Sequence, residues 1–362
     1  VIRVGLLLLL AGLAGLTSGQ ASEVQRLKVI GGLAGVAQYT RLEEPFWREQ
    51  IGRLSGGRIA ATIQPVDRSG LPGPEMLHLM RLGVVPFGTA LLAVIAADEP
   101  EFNALDLAAL SPDIDTLRRH VNAFRAHAAA LLAERYGVTL LGVYTYPAQV
   151  IYCTKPFRDL EDLAGRRIRT SSVGQSDFVS GLGALPVVTP FSEMVRAVTN
   201  GVVDCAITGT LSGHEVGLTD VTTHLHGMAI SWGLSIFAAN TTAWNLLPAD
   251  LRDTIASGVA DLEKRIWQHA GQDTLTGFLC AVGAPSCASR RGRMTLLTAS
   301  DADHRTRQRL LREVVLPRWI DRCGPPCVES WNATLGPVSG LRLALDEADR
   351  LQVTAFPATS TQ

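Results

Sequence analysis

The residues best suited to chemistry crowd into GRRIRTSS, residues 165–172, where Arg166, Arg167 and Arg169 are followed by Thr170, Ser171 and Ser172. Ile168 lies in a run that reads as a strand entering a core, and a helix pattern begins at Gly174. A guanidinium is planar, permanently charged, and grips a carboxylate through two parallel hydrogen bonds. Hydroxyls and backbone N–H groups at a helix start favour an anion as well. The combination reads as a carboxylate clamp centred on Arg169, with Arg167 nearer the solvated start of the strand. The plainer alternative is a surface arginine paired with Glu161 or Asp162.

Other groups are candidates for chemistry by type alone. His214, His224 and His226, with Glu215 nearby, have the makings of a metal site. Neither H-E-x-x-H nor paired C-x-x-C occurs, so no metal and no cofactor is assigned. Cys205 with His214 suggests a thiol nucleophile, but a cysteine in an apolar strand is more often inert. Cys280 with Cys287, and Cys323 with Cys327, are close enough to close short loops. Cys153 and Cys205 either pair across neighbouring strands or stay as buried thiols, and spacing does not fix the connectivity. Tyr39 and Trp232 are candidate ligand walls, with core packing as the alternative. Thr89 at a strand end, Gln149 near a crossing point, and Thr210 with Ser212 after a strand end complete the set.

These groups need elements to hold them. LKVIGGLAG is a strand into a glycine-rich turn, and EEPFWREQIGRLSGG is a helix stopped by Gly56 and Gly57. RIAATIQPV is a strand, PEMLHLMRLG a short helix, and VVPFGTALLAV a strand. This β-α-β-α-β order argues for a parallel sheet covered by helices. The order repeats from residue 138, through RRIRT, the helix GQSDFVSGLGAL, PVVT, the helix FSEMVRAVTN and VVDCAIT. In that second helix Thr189 is read as the cap and Pro190 as the first position. DIDTLRRHVNAFRAHAAALLAERYG is a long helix between the two units. LPADLRDTIASGVADLEKRIWQHAGQDTL is another, with Leu251, Ile255, Val259, Leu262 and Ile266 on one face. The cysteine-containing tail reads as irregular apart from a helix at RTRQRLLREVVLPRWIDRC. Two such sheets make two lobes around a cleft, and ligands bind beyond the C-terminal ends of the strands.

The chain has 362 residues, enough for about two domains. At 47% hydrophobic and 19% charged it is globular, and a net charge of -1 gives no basic surface for nucleic acid. VIRVGLLLLLAGLAGLTSGQAS carries Arg3, an apolar run from Val4 to Leu16, then small and polar residues. That is the layout of a secretory signal peptide cleaved near Ala21, or of an uncleaved anchor.

The run from Lys155 to Asp204 resembles the periplasmic solute-binding proteins of TRAP transporters. It supplies Asp162-Leu163 through Arg169, Gly183-Ala184-Leu185-Pro186-Val187, and Ser192-Glu193 through Asp204. GRIAATIQPVDRSGLPGPEMLHLMRLG and WNLLPADLRDTI extend the likeness more weakly. The resemblance implies two α/β lobes of doubly wound sheets that close on a ligand, crossed by a long helix from Leu247 to about Leu275. It implies a signal peptide at 1–21, a first lobe at 22–146 and a second at 147–231. A return strand and the crossing helix fill 232–275, and a tail at 276–362 lies mainly against the second lobe. It makes Arg169 the bidentate partner of the ligand carboxylate.

This chain departs from the pattern at three places. Gln149 stands where many members carry a second ligand arginine, and Thr208 where an asparagine touches the ligand. The early G-x-x-D segment reads Gly83-Val84-Val85-Pro86. One cation therefore implies a monocarboxylate bearing a hydroxyl, keto or larger apolar part. The ligand set expected is Arg169, Gln149, Thr208, Ser171, Ser172, Trp232, Tyr39, Thr89 and Thr210. The implied function is capture of an organic acid in the periplasm and delivery to the small and large TRAP permease subunits, without enzymatic turnover. The competing classes are a secreted enzyme using Cys205 or a histidine-bound metal, and a receptor feeding a signalling partner.

Overall fold

The computed structural model describes residues 23–357, so the expected signal peptide lies outside the described residues. Among the described residues, thirteen strands form three sheets. β1 (Gln25–Gly31), β2 (Ile59–Pro65) and β3 (Phe87–Leu91) are mutually parallel, with β1 in the middle. β4 (Val138–Thr145) ends at a crossing point, after which β5 (Gln149–Cys153) enters the second sheet. There β6 (Arg167–Thr170), β7 (Leu185–Val188) and β8 (Cys205–Gly209) are parallel, with β6 in the middle. β9 (His224–His226) closes that unit, and the chain returns as β10 (Leu234–Asn240) between β3 and β4, antiparallel to both. The sheet orders are β2-β1-β3-β10-β4 and β11-β9-β5-β8-β6-β7, where β11 is Thr295–Leu297. The architecture is a two-lobed α/β fold, as the repeated β-α-β-α-β pattern predicts.

The amphipathic helix read from the sequence is longer than expected, running from Ala249 to Ala281. Its Leu251, Ile255, Val259, Leu262 and Ile266 are buried in the core behind the first sheet. Trp267 Nε1 donates to the Val143 carbonyl at 2.8 Å, and Glu263 takes both Arg125 Nη atoms at 2.6 and 2.8 Å. Further along, Gly277 meets the helix Thr210–Glu215 of the second unit at backbone contact. A Cβ there would lie 2.3 Å from the Leu211 nitrogen.

Several local readings change. The helix before Gly56 starts earlier, at Gln38, and winds through two wide π turns before Ile51–Leu54. Thr189 caps nothing: its hydroxyl turns to the Val187 carbonyl, and the following helix opens as a 3₁₀ turn at Phe191 after an extended Pro190. In the tail the helix read over 305–323 is present, and the rest is more regular than expected. The tail holds the helices Asp301–Leu310, Leu316–Cys323 and Pro325–Ala333, and a hairpin of β12 (Leu341–Leu345) with β13 (Leu351–Ala355). These helices meet both units, because Trp319 Nε1 donates to the Pro100 carbonyl at 2.7 Å while Arg322 reaches Asp177 at 2.6 Å.

All six cysteines are paired, as Cys153–Cys205, Cys280–Cys287 and Cys323–Cys327. The first joins directly opposed residues of β5 and β8, which settles the choice the sequence left open. No helix among the described residues is long and apolar enough to cross a membrane.

Candidate functional site

Strand period sorts the arginines of β6. Residues two apart share a face, so Arg167 and Arg169 point one way while Ile168 enters the core. Arg167, at the exposed start, is tied to Asp204 through its backbone N–H, Nε and Nη2 at 2.9, 3.1 and 2.8 Å. Arg166 donates to the Lys155 and Pro156 carbonyls and lies over the Phe157 ring. Asp162, the partner considered for Arg169, is held by Arg158 instead.

Arg169 is therefore left without a counter-ion among the described residues, at 2% exposure. Its Nε donates to the Thr189 carbonyl at 2.9 Å and its Nη1 to the Ile207 carbonyl at 2.8 Å. These two bonds, from loop and neighbouring strand, lock the guanidinium plane. Its remaining amino group faces a cavity of about 490 Å³ between the two sheets. Burial alone pulls its pKa down to about 10. It stays charged at neutral pH, and a buried charge without a partner is costly.

Hydroxyls and amides surround it. Ser172 caps the helix Val173–Gly181 by accepting from the Gln175 N–H at 3.1 Å. The Ser171 N–H and hydroxyl both donate to Gln175 Oε1, at 2.8 and 3.1 Å. Gln175 Nε2 in turn donates to Gln149 Oε1 and, at 2.9 Å, to the Ser231 hydroxyl. Thr208 projects from β8 beside Arg169, and its hydroxyl makes no hydrogen bond among the described residues. The cavity walls are mainly apolar: Leu33, Val66, Leu71, Leu91 and Val94 from the first unit, and Val173, Val188, Pro190 and Phe191 from the second. Tyr146, Gln149, Gly233 and Leu234 line it where the chain crosses between the sheets. Asp106 secures that crossing by accepting from the Trp232 and Gly233 N–H groups at 3.0 Å. Among the lining residues Arg169 is the one cation, and Asp67 the one carboxylate.

A buried cation with no counter-ion among the described residues, in an apolar cavity between two α/β units, suits an anionic ligand. The model of the bacterial extracellular solute-binding proteins, family 7, matches residues 37–276. The chain belongs to that family. Family 7 members are solute-binding receptors rather than enzymes, and this chain is one of them. It is 25% identical over 234 residues to the C4-dicarboxylate-binding periplasmic protein of Rhodobacter capsulatus. That match covers 63% of this chain and 66% of the relative. Among solved structures, an extracytoplasmic solute receptor of Bordetella pertussis that binds pyroglutamic acid superposes with a TM-score of 0.76 at 22% identity, over 86% of this chain and 99% of that one. A TRAP periplasmic solute-binding protein of Shewanella oneidensis with bound succinate gives 0.72 at 17%, over 85% and 98%.

In this family 7 chain the cavity gathers Arg169, Gln149, Thr208, Ser171, Ser172 and Ser212 from the residues singled out by sequence. Tyr39, Thr89, Trp232 and Thr210 lie elsewhere. Tyr39 is packed behind the first sheet, where burial pushes its hydroxyl up to about 12. Thr89 is wholly buried in β3. Trp232 is core, with Nε1 donating to the Ser111 carbonyl at 3.0 Å. Thr210 binds the Asp273 and Thr274 carbonyls of the crossing helix at 3.3 and 3.0 Å.

The three histidines do not converge. His214 meets Ser289 and Thr219, His224 meets Thr223, and His226 faces Asp303. Cys205 has no free thiol, since it is bonded to Cys153. Sequence reasoning missed Gln175 and the apolar walls. Gln175 reads as an ordinary polar position one turn into a helix, and nothing in its own spacing signals the three partners.

Proposed function

We propose that this chain is the periplasmic receptor of a TRAP-type secondary transporter and binds one carboxylate of an organic acid on Arg169. The observation that carries this reading is the 2%-exposed guanidinium, fixed by two carbonyls and facing the cavity without a counter-ion. A ligand carboxylate supplies the missing charge. The single lining cation, with Asp67 at the wall, favours a monocarboxylate over a dicarboxylate. The apolar remainder of the cavity favours a hydrocarbon body on that acid. Closure of the two lobes buries the pair, and the closed form docks on the small and large membrane permease subunits. Gln149, Thr208, Ser171 and Ser172 contribute polar contacts around the acid.

The test is calorimetric titration of the mature protein with a panel of organic acids, beside Arg169→Ala. Binding by a monocarboxylate, weakened in the variant by about 2–5 kcal/mol as for other truncated buried charge pairs, supports the reading. Equal affinity in both proteins sinks the assignment of Arg169.

A further inference from the structure

The polar groups around Arg169 have a fixed direction. The Ser171 backbone N–H can only donate. It donates to one end of the Gln175 side chain at 2.8 Å, and the Ser171 hydroxyl approaches the same atom at 3.1 Å. That atom must therefore be the oxygen, and the other end of Gln175 must be the NH₂ group. Gln175 is 2% exposed, and its NH₂ points at Gln149 and at the Ser231 hydroxyl. The end of Gln149 that meets this NH₂ must in turn be its oxygen. Ser231 Oγ approaches the same oxygen at 3.5 Å. Turning either amide over would set two donors face to face in a buried site, at the cost of an unsatisfied group.

Gln149 Nε2 is what remains. It has no hydrogen-bond partner among the described residues, and it lies over Gly233, whose Cβ, if present, would stand 2.2 Å away. Gly233 and Gln149 both line the cavity. A side chain at 233 would cover this amide, so the glycine keeps it open to a ligand. The strands set its place relative to Arg169. Gln149 stands opposite Gly209 on β8, and Arg169 stands beside Ala206 on the other edge of β8. β6 and β5 are thus separated by β8, a backbone spacing of about 10 Å, with Thr208 between them.

We propose, resting on the reading of Arg169 as the carboxylate partner, that Gln175 is a positioning residue. It fixes Gln149 as a hydrogen-bond donor, so the receptor selects monocarboxylates that carry an acceptor oxygen further along the molecule. A carbonyl oxygen satisfies the amide. A methylene leaves it unpaired, and an amino group opposes donor to donor.

The experiment is calorimetry, by competition where affinity is low, with matched five- and six-carbon acids. The acids are pentanoate and hexanoate, their 2-oxo, 4-oxo and 5-oxo derivatives, and 4-aminopentanoate. For the wild type, at least one oxo acid binds about 5- to 150-fold more tightly than its parent, the range left by one unpaired buried donor, and the amino acid binds no better than the parent. In Gln149→Met that ratio falls to about one while the parent acid still binds. Gln175→Met, which leaves Gln149 untouched but frees it to turn, also brings the ratio to about one. A merely structural role for Gln175 would weaken parent and oxo acid alike and leave their ratio unchanged, and that result overturns the proposal. So does a wild-type ratio of one at every position. Thermal midpoints of both variants confirm folding, and Gln149→Met alone decides if Gln175→Met does not fold. Failure of the underlying reading looks different: no acid binds, and Arg169→Ala behaves as the wild type.

Discussion

At the scale of single residues, this chain keeps more than one ionisable group in apolar surroundings, and the groups differ in how they are compensated. Arg169 has no counter-ion among the described residues, only two carbonyl partners, and so can take an incoming anion. Glu43 is the converse. Its carboxylate accepts from the Gly32 N–H and from Gln38 Nε2, both at 2.8 Å, yet burial still raises its pKa to about 7. The folded chain therefore holds this proton to higher pH than the unfolded chain, whose carboxyl titrates near 4.5. By linkage, stability is full at low pH and is lost as pH rises from about 4.5 to about 7, by up to about 3 kcal/mol from this group. Asp106, raised by burial to about 6, acts in the same direction. Urea denaturation at pH 5 and pH 8 checks this. Buried His120, His214 and His226, whose pKa values are lowered by burial, oppose this at pH 5, so the reading is the difference between proteins. Glu43→Gln should lower stability at pH 5 relative to pH 8, compared with the wild type, by about 2–3 kcal/mol. An unchanged gap between the two pH values would show that Glu43 is ionised throughout.

At the scale of elements, the cleft depends on how closely two helices approach. Gly277 of the crossing helix sits against the backbone of Thr210 and Leu211, and neither atom is the end of a flexible side chain. Gly277→Ala must push the short helix Thr210–Glu215 away and break the Thr210 hydroxyl's bonds to Asp273 and Thr274. The expected loss is about 1–3 kcal/mol, typical of overpacking, read as a lower denaturation midpoint. Ligand affinity should fall too, because Ser212 on the same helix lines the cavity. Wild-type stability in this variant would refute the close contact. The crossing helix was legible from its apolar face, and the strands from their β-branched runs between glycine and proline breaks. Arg169 was legible because a charge at the buried end of a strand demands a reason. Tyr39, Thr89 and Trp232 were not, because periodicity says which residues share a face but not whether that face meets a cleft or another layer. Gln175 was hidden for a related reason. Its role comes from β5 and from Ser231, 26 and 56 residues away, which no local pattern reports.

At the scale of the whole molecule, contacts join the two units outside the cavity. Glu215, at the end of the helix that follows β8, accepts from the Ala37 N–H at 3.0 Å and pairs with Arg41 at 2.8 Å. Ala37 and Arg41 follow β1, in the other unit, so these bonds span the two units. Neither Glu215 nor Arg41 lines the cavity. Removing them leaves the cavity lining intact, and under the proposed closure mechanism it removes contacts that hold the two units together. For a receptor whose bound state is the closed one, apparent affinity falls with the closed fraction. An exposed ion pair contributes about 0.2–1 kcal/mol, and the Ala37 bond adds a similar amount. Glu215→Ala should therefore weaken ligand binding by roughly 2- to 30-fold, mainly through faster dissociation, since mutational effects on affinity fall mostly on the off-rate. Stopped-flow kinetics with any acid that binds through Arg169 measures this. The same variant should scatter X-rays as a more extended particle at subsaturating ligand. If dissociation is unchanged, closure is driven by the ligand in the cleft alone, and the contacts at Glu215 only follow it.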